Sequence, residues 1–178
     1  ERLDDIIDNQ EVFLLKVDTQ GFEPAVFGGL EHALGGSRRN GRRQQPPRVH
    51  YIMTEFWPKG MDLMNANSDI SSAEDRVSKR QCVAALVLDK LIEYGYTIYA
   101  LSPSAHPRAP KEWNAYRGTQ PMDSTMNFCL WHYELEDKVP TDYYKFGYWS
   151  DILAVSPNAP PLAGNGALAK VLGKKASA

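Results

Sequence analysis

Two short stretches set carboxylates, an amide and a glycine at spacings that suit chemistry on a small ligand. The first is Asp18-Thr19-Gln20-Gly21-Phe22-Glu23 and the second is Thr54-Glu55-Phe56-Trp57-Pro58. Each follows a run of strand-forming residues, so each delivers a carboxylate where a strand ends. A carboxylate placed there can serve as a general base. Gly21 lets the backbone turn tightly or approach a ligand closely. A helix expected to start near Pro24 adds N–H donors and a positive partial charge. The same residue types also serve plainer ends. Acids at strand ends cap helices or pair with arginine, and a glutamate at a helix start, such as Glu23, is stabilised by the helix dipole in any case.

Other reactive residue types form no pattern of comparable strength. His32, His50, His106 and His132 lack metal-ligand spacing, so no metal is expected. Ser102 and Ser104 lack the GxSxG elbow of a hydrolase. Cys82 and Cys129 lie far apart with no CxxC pair, so neither a disulfide scaffold nor a structural zinc site is expected, and both read as buried thiols. Trp57 and the aromatic group Tyr143, Tyr144, Phe146, Tyr148 and Trp149 read as core or docking contacts before they read as an acceptor pocket. Arg38, Arg39, Arg42, Arg43 and Arg48 fall in a Gly-, Gln- and Pro-rich stretch that reads as a solvated insertion, with a phosphate-binding patch as the sharper alternative.

The elements that must carry these residues alternate between strand and helix. A short helix or turn at 3–7 leads into a nearly continuous apolar run at 12–18, as expected of a central parallel strand. A helix is expected over 24–34, ended by Gly35-Gly36. A second strand is expected at 49–55 and a long helix over 73–94, with Ser71 and Glu74 as a capping box and Gly95 just past its end. A third strand follows at 96–101, then a Pro-containing loop, then a fourth strand near 126–132. This order predicts an α/β sheet, in which ligands bind at the carboxyl ends of the strands.

With those residues in place, the segment running from Leu3-Asp4-Asp5-Ile6-Ile7 through Leu15-Lys16-Val17-Asp18-Thr19-Gln20-Gly21-Phe22-Glu23 to Ala25-Val26-Phe27-Gly28-Gly29-Leu30 resembles the FkbM family of methyltransferases. That family carries an LDD element, then K-I/V-D-x-E-G-x-E, then a V-L-x-G-A helix, and its next strand commonly ends in a glutamate, as Glu55 does here. The resemblance covers residues 3–57 by motif and 73–132 by element order. It implies the Rossmann-like class I methyltransferase fold, as its C-terminal half, with a mostly parallel sheet and a final antiparallel strand. It implies S-adenosylmethionine as cofactor and O-methyl transfer to a hydroxyl of a sugar, glycan or secondary metabolite. In such enzymes the acceptor oxygen attacks the methyl carbon in line, and the protein mainly aligns the reactants. Asp18 would then be catalytic and cofactor-binding, Glu55 catalytic, Gln20 and Gly21 cofactor-binding, and Glu23 the brace of the turn. Two departures stand out: Gln20 replaces the usual acid before the glycine, and the glycine-rich cofactor loop is absent.

Composition fits this reading without demanding it. The chain has 178 residues, with 20 basic and 22 acidic side chains and a net charge of −2. That balance does not ask for nucleic acid as a partner, and no apolar run approaches the roughly 20 residues of a membrane span. The first residue is Glu1 and the first methionine Met53, so the chain reads as a processed or truncated piece whose compartment is open. Residues 1–139 are expected to form the partial methyltransferase domain, 140–155 an aromatic-rich extension and 156–178 a disordered tail. Two rivals follow from the departures: a catalytically silent methyltransferase-like binding module, favoured by Gln20 and the basic stretch, and an anion-binding module built on the arginines.

Overall fold

A computed structural model describes residues 1–35, 38–39, 42–43, 46–64, 82, 84–101, 121–122, 124–138 and 149–162. The elements, in chain order, are α1 (Leu3–Ile7), β1 (Val12–Val17), α2 (Glu23–Gly28), β2 (Arg38–Arg39), β3 (Arg42–Arg43), β4 (Val49–Phe56), α3 (Pro58–Met64), α4 (Ala85–Glu93), β5 (Thr97–Ala100), α5 (Thr125–Lys138) and β6 (Ser150–Val155). A four-stranded mixed sheet runs in the order β1-β4-β6-β5. β1 and β4 are parallel, whereas β6 is antiparallel to both β4 and β5. Three strands therefore point one way and the last strand of the chain runs against them. The molecule is an α/β fold of the mostly parallel kind.

The apolar run of β1 and the long β4 form the parallel pair expected of a strand–helix–strand crossover. Val17, Ile52, Phe56, Ile98, Ile152 and Ala154 bury one face of the sheet against Phe27, Leu30, Leu88, Leu91, Phe128 and Tyr133. On the other face Tyr51, Tyr99 and Leu153 pack together under Ala159 and Leu162. The Tyr51 hydroxyl donates to the Pro160 carbonyl, which fastens that cover. Part of the stretch expected as a disordered tail thus lies along the sheet. Residues 163–178 fall outside the described residues.

The helix after β1 is shorter than its apolar periodicity suggests. Gly28 and Gly29 weaken it at its end, and the chain continues in turns to Leu34. Leu30 and Leu34 are nonetheless buried. Buried Asp4 makes this possible: its carboxylate accepts the backbone N–H groups of His32 at 3.1 Å and Ala33 at 2.9 Å. Within the arginine-bearing stretch β2 and β3 pair antiparallel, Arg38 opposite Arg43 and Arg39 opposite Arg42. The helix expected over 73–94 is seen as α4, which begins only at Ala85, because Cys82 is not helical and Ala84 is the N-cap in a turn. It ends as expected, with Gly95 at φ +87°, its N–H donating to Ile92 and the Tyr96 N–H to Leu91. The Ser71–Glu74 capping box lies outside the described residues.

Three expectations are corrected. The fourth strand near 126–132 is a helix, α5. Its buried residues Phe128, Cys129, His132 and Tyr133 recur at helical spacing, and a short apolar run does not separate that period from a strand's. The antiparallel strand instead comes from Ser150–Val155, expected within the aromatic extension but lying in the sheet between β4 and β5. Tyr143, Tyr144, Phe146 and Tyr148 lie outside the described residues. Finally, Cys82 and Cys129 are not free thiols. They form a disulfide, with Cα atoms 6.2 Å apart, that ties the approach to α4 onto α5.

Candidate active site

Parallel pairing determines where the two sequence-predicted acids go. Val17 stands opposite Thr54 in the β1–β4 ladder, so the next residues, Asp18 and Glu55, emerge side by side at the carboxyl ends of neighbouring strands. Gln20 joins them. Its side-chain amide donates to Asp18 Oδ1 at 3.1 Å and to Glu55 Oε2 at 2.9 Å. Lys16, two residues back on β1, pairs with Asp18 Oδ2 at 3.1 Å across an exposed surface.

The turn that aims Gln20 is built by Glu23. This glutamate is fully buried. Its Oε1 accepts the Thr19 N–H at 2.9 Å and the Thr19 hydroxyl at 3.0 Å, and its Oε2 accepts the Gly21 N–H at 2.9 Å. Two successive residues take positive φ, Gln20 at +55° and Gly21 at +102°. Gly21 also passes hard against α3: a Cβ there would sit 2.7 Å from the Gly60 carbonyl oxygen. The glycine's close approach is therefore to the chain's own backbone, and its N–H is committed to Glu23.

The acids have opposite proton affinities. Hydrogen bonds from Lys16 and Gln20 hold the Asp18 carboxyl below the usual carboxylate range. Burial, with the negative charges of Asp18, Glu23 and Asp151, pushes Glu55 up to about 7 against the pull of Lys16. Asp151 is likewise raised, chiefly by burial and also by Asp18, against the pull of Lys16. Acids driven apart in this way are the usual arrangement of a charged binding group beside a proton-transfer group.

Asp151 was not legible as a site residue. It lies at the start of β6, opposite Glu55 in the antiparallel register, and only the insertion of β6 beside β4 brings it there. Its neighbour Ser150 is held by His132, a residue whose sequence context pointed nowhere. His132 Nδ1–H donates to the Phe128 carbonyl at 2.7 Å, and Nε2 accepts the Ser150 hydroxyl at 2.9 Å. The imidazole is buried against Phe56, Phe128 and Trp131, and burial pushes its pKa down to about 3. It is a neutral strut that fixes the start of β6.

The remaining candidates lie elsewhere. His50 is at the other end of β4, with Nε2 3.3 Å from Glu11 Oε2. His32 is exposed in the turns after α2, and His106 is outside the described residues. Among the described residues no group of three or more His, Cys, Asp or Glu is placed to hold a metal ion. Trp57 lies against Gly60, which allows the ring to sit on the α3 backbone. An apolar groove of about 220 Å³ between α2 and α4 is lined by Phe27, Leu86, Val87, Leu91 and Tyr94, and none of Asp18, Gln20, Glu55 or Asp151 borders it. No described helix is long and apolar enough to cross a membrane. Comparison with known proteins returned no match, whether to family profiles, to curated proteins or to solved structures.

Proposed function

We propose that this chain is the acceptor-side half of an S-adenosylmethionine-dependent methyltransferase of the FkbM kind, one that methylates a hydroxyl of a sugar, glycan or secondary metabolite. The observation that carries this reading is the meeting of Asp18 and Glu55 at the carboxyl ends of adjacent parallel strands, linked through Gln20. Ligands of open α/β sheets bind at that edge. Strand directions are compatible with it, since a mostly parallel sheet with an antiparallel last strand is what the resemblance implies.

The residues present fit part of the cofactor. Asp18 is an exposed carboxylate kept ionised by Lys16 and Gln20, suited to the ammonium of the cofactor's methionine moiety. The turn offers no amide from Gly21, which Glu23 already uses. Neither β1, β4 nor β5 is followed by a glycine-rich loop in the sequence, so this reading leaves the ribose-binding loop to polypeptide outside these 178 residues. When bound, S-adenosylmethionine supplies an electrophilic methyl group. Glu55, which changes charge near neutrality, takes the proton of the acceptor hydroxyl. Gln20 keeps the two carboxylates at fixed separation and so aligns binding with proton transfer.

Transfer of tritiated methyl to a panel of sugars and glycans, using the protein at its full cellular length, tests the reading. Asp18→Asn and Glu55→Gln are each expected to lower turnover roughly 100-fold or more with unchanged circular dichroism. Near-normal turnover in D18N removes Asp18 from the site. The runner-up is a catalytically silent module, favoured by the way Gln20 occupies both carboxylates. Cofactor-independent glycan binding without any methyl transfer by the wild type is the result it requires.

A further inference from the structure

Glu55 is enclosed by charge from three elements: Lys16 and Asp18 at the end of β1, Glu23 at the start of α2 and Asp151 on β6. Of these, Asp18 is already paired with Lys16 and Gln20, and Glu23 is spent on the turn. Asp151 feels Lys16 and Asp18 as well, but its place is set by the sheet. It stands directly opposite Glu55 in the β4–β6 ladder, and residues opposite each other in an antiparallel pair project their side chains from the same face, with Cβ atoms roughly 5 Å apart. Its backbone is held on both sides. The Leu101 N–H donates to the Asp151 carbonyl at 2.8 Å, and the preceding residue, Ser150, is bonded to His132. A like charge is thus kept beside Glu55 by the sheet itself.

We infer that Asp151 is a positioning residue for Glu55, a fixed like charge on the neighbouring strand that, together with Asp18 and Glu23, tunes Glu55 as a proton-transfer group. This deepens the methyltransferase reading and rests on it for the reaction served. With Asp151 ionised, Glu55 holds its proton to higher pH and becomes the stronger base once ionised. Asp18, tied to Lys16, stays ionised throughout and binds without competing for that proton.

The test reads Glu55 directly. In the full 178-residue chain labelled with ¹³C at glutamate side-chain carboxyls, the Glu55 signal, assigned by its loss in E55Q, is followed against pH. Asp151→Asn is expected to lower the midpoint by roughly half a pH unit or more, and Asp151→Glu to restore most of the shift. In the full-length enzyme the acidic limb of the kcat/KM profile moves to lower pH in step. An unchanged Glu55 midpoint in D151N overturns the inference, even if melting temperature falls, because that outcome shows a purely structural aspartate. Absence of methyl transfer by the wild type is a separate result: it strikes the proposed reaction and not the coupling of the two carboxylates.

Discussion

Glu55 costs the fold something at neutral pH. Its carboxyl ordinarily titrates at 4.5 and here at about 7, because burial and three neighbouring acids disfavour its charge. The folded state therefore holds more protons than the unfolded one between those two values. Stability contributed by the protonated form is complete below about 4.5 and is lost as the pH rises through about 7. Glu55→Gln removes the charge and keeps the shape. Its melting temperature is expected to exceed that of the wild type by more at pH 8 than at pH 5. An equal difference at both pH values would mean that Glu55 is not strained by its neighbours. A charged group held in an unfavourable place is a common mark of a functional site.

At the scale of elements, the turn between β1 and α2 decides whether the two acids meet. It depends on Gly21 twice, through φ +102° and through its contact with the Gly60 carbonyl. Gly21→Ala must either strain the backbone or push α3 away. A loss of roughly 1–3 kcal/mol in urea denaturation is expected. A loss below about 0.5 kcal/mol would show that the turn relaxes and that Gln20 is not rigidly aimed. Glu23 is the second support, and its three hydrogen bonds explain why a fully buried glutamate is tolerated.

At the scale of the molecule, the last strand and the last described helix are locked to what comes before them. The Cys82–Cys129 disulfide closes a loop with a sequence separation of 47. A loop of that length restricts the unfolded chain by about 4 kcal/mol on the entropy model. Reduction, or the paired change C82S/C129S, is therefore expected to lower the denaturation midpoint clearly, and an unchanged midpoint would show the bond to be energetically idle. As the outer strand of the described sheet, β1 remains thinly covered, with Phe13 55% and Leu14 51% exposed on its two faces. Phe13 leans on Tyr51, ring centroids 5.3 Å apart, as its main aromatic contact.

The local signals in the sequence were enough for the first three main strands, for the Gly21 turn and for the Gly95 helix end, while the placing of Asp18 and Glu55 at neighbouring strand ends came only with the resemblance. The strands and turns depend on near neighbours: an apolar run, or a glycine that takes positive φ. The helix at Thr125–Lys138, the strand at Ser150–Val155, the disulfide and the place of Asp151 were decided only by tertiary structure. A run such as Met126-Asn127-Phe128-Cys129-Leu130-Trp131-His132 suits either period until a core selects one, and Ser150–Val155 becomes a strand where β4 and β5 leave their backbone groups unpaired. Asp151 joins the site for the same reason: its partner is 96 positions away in the chain and one strand away in space.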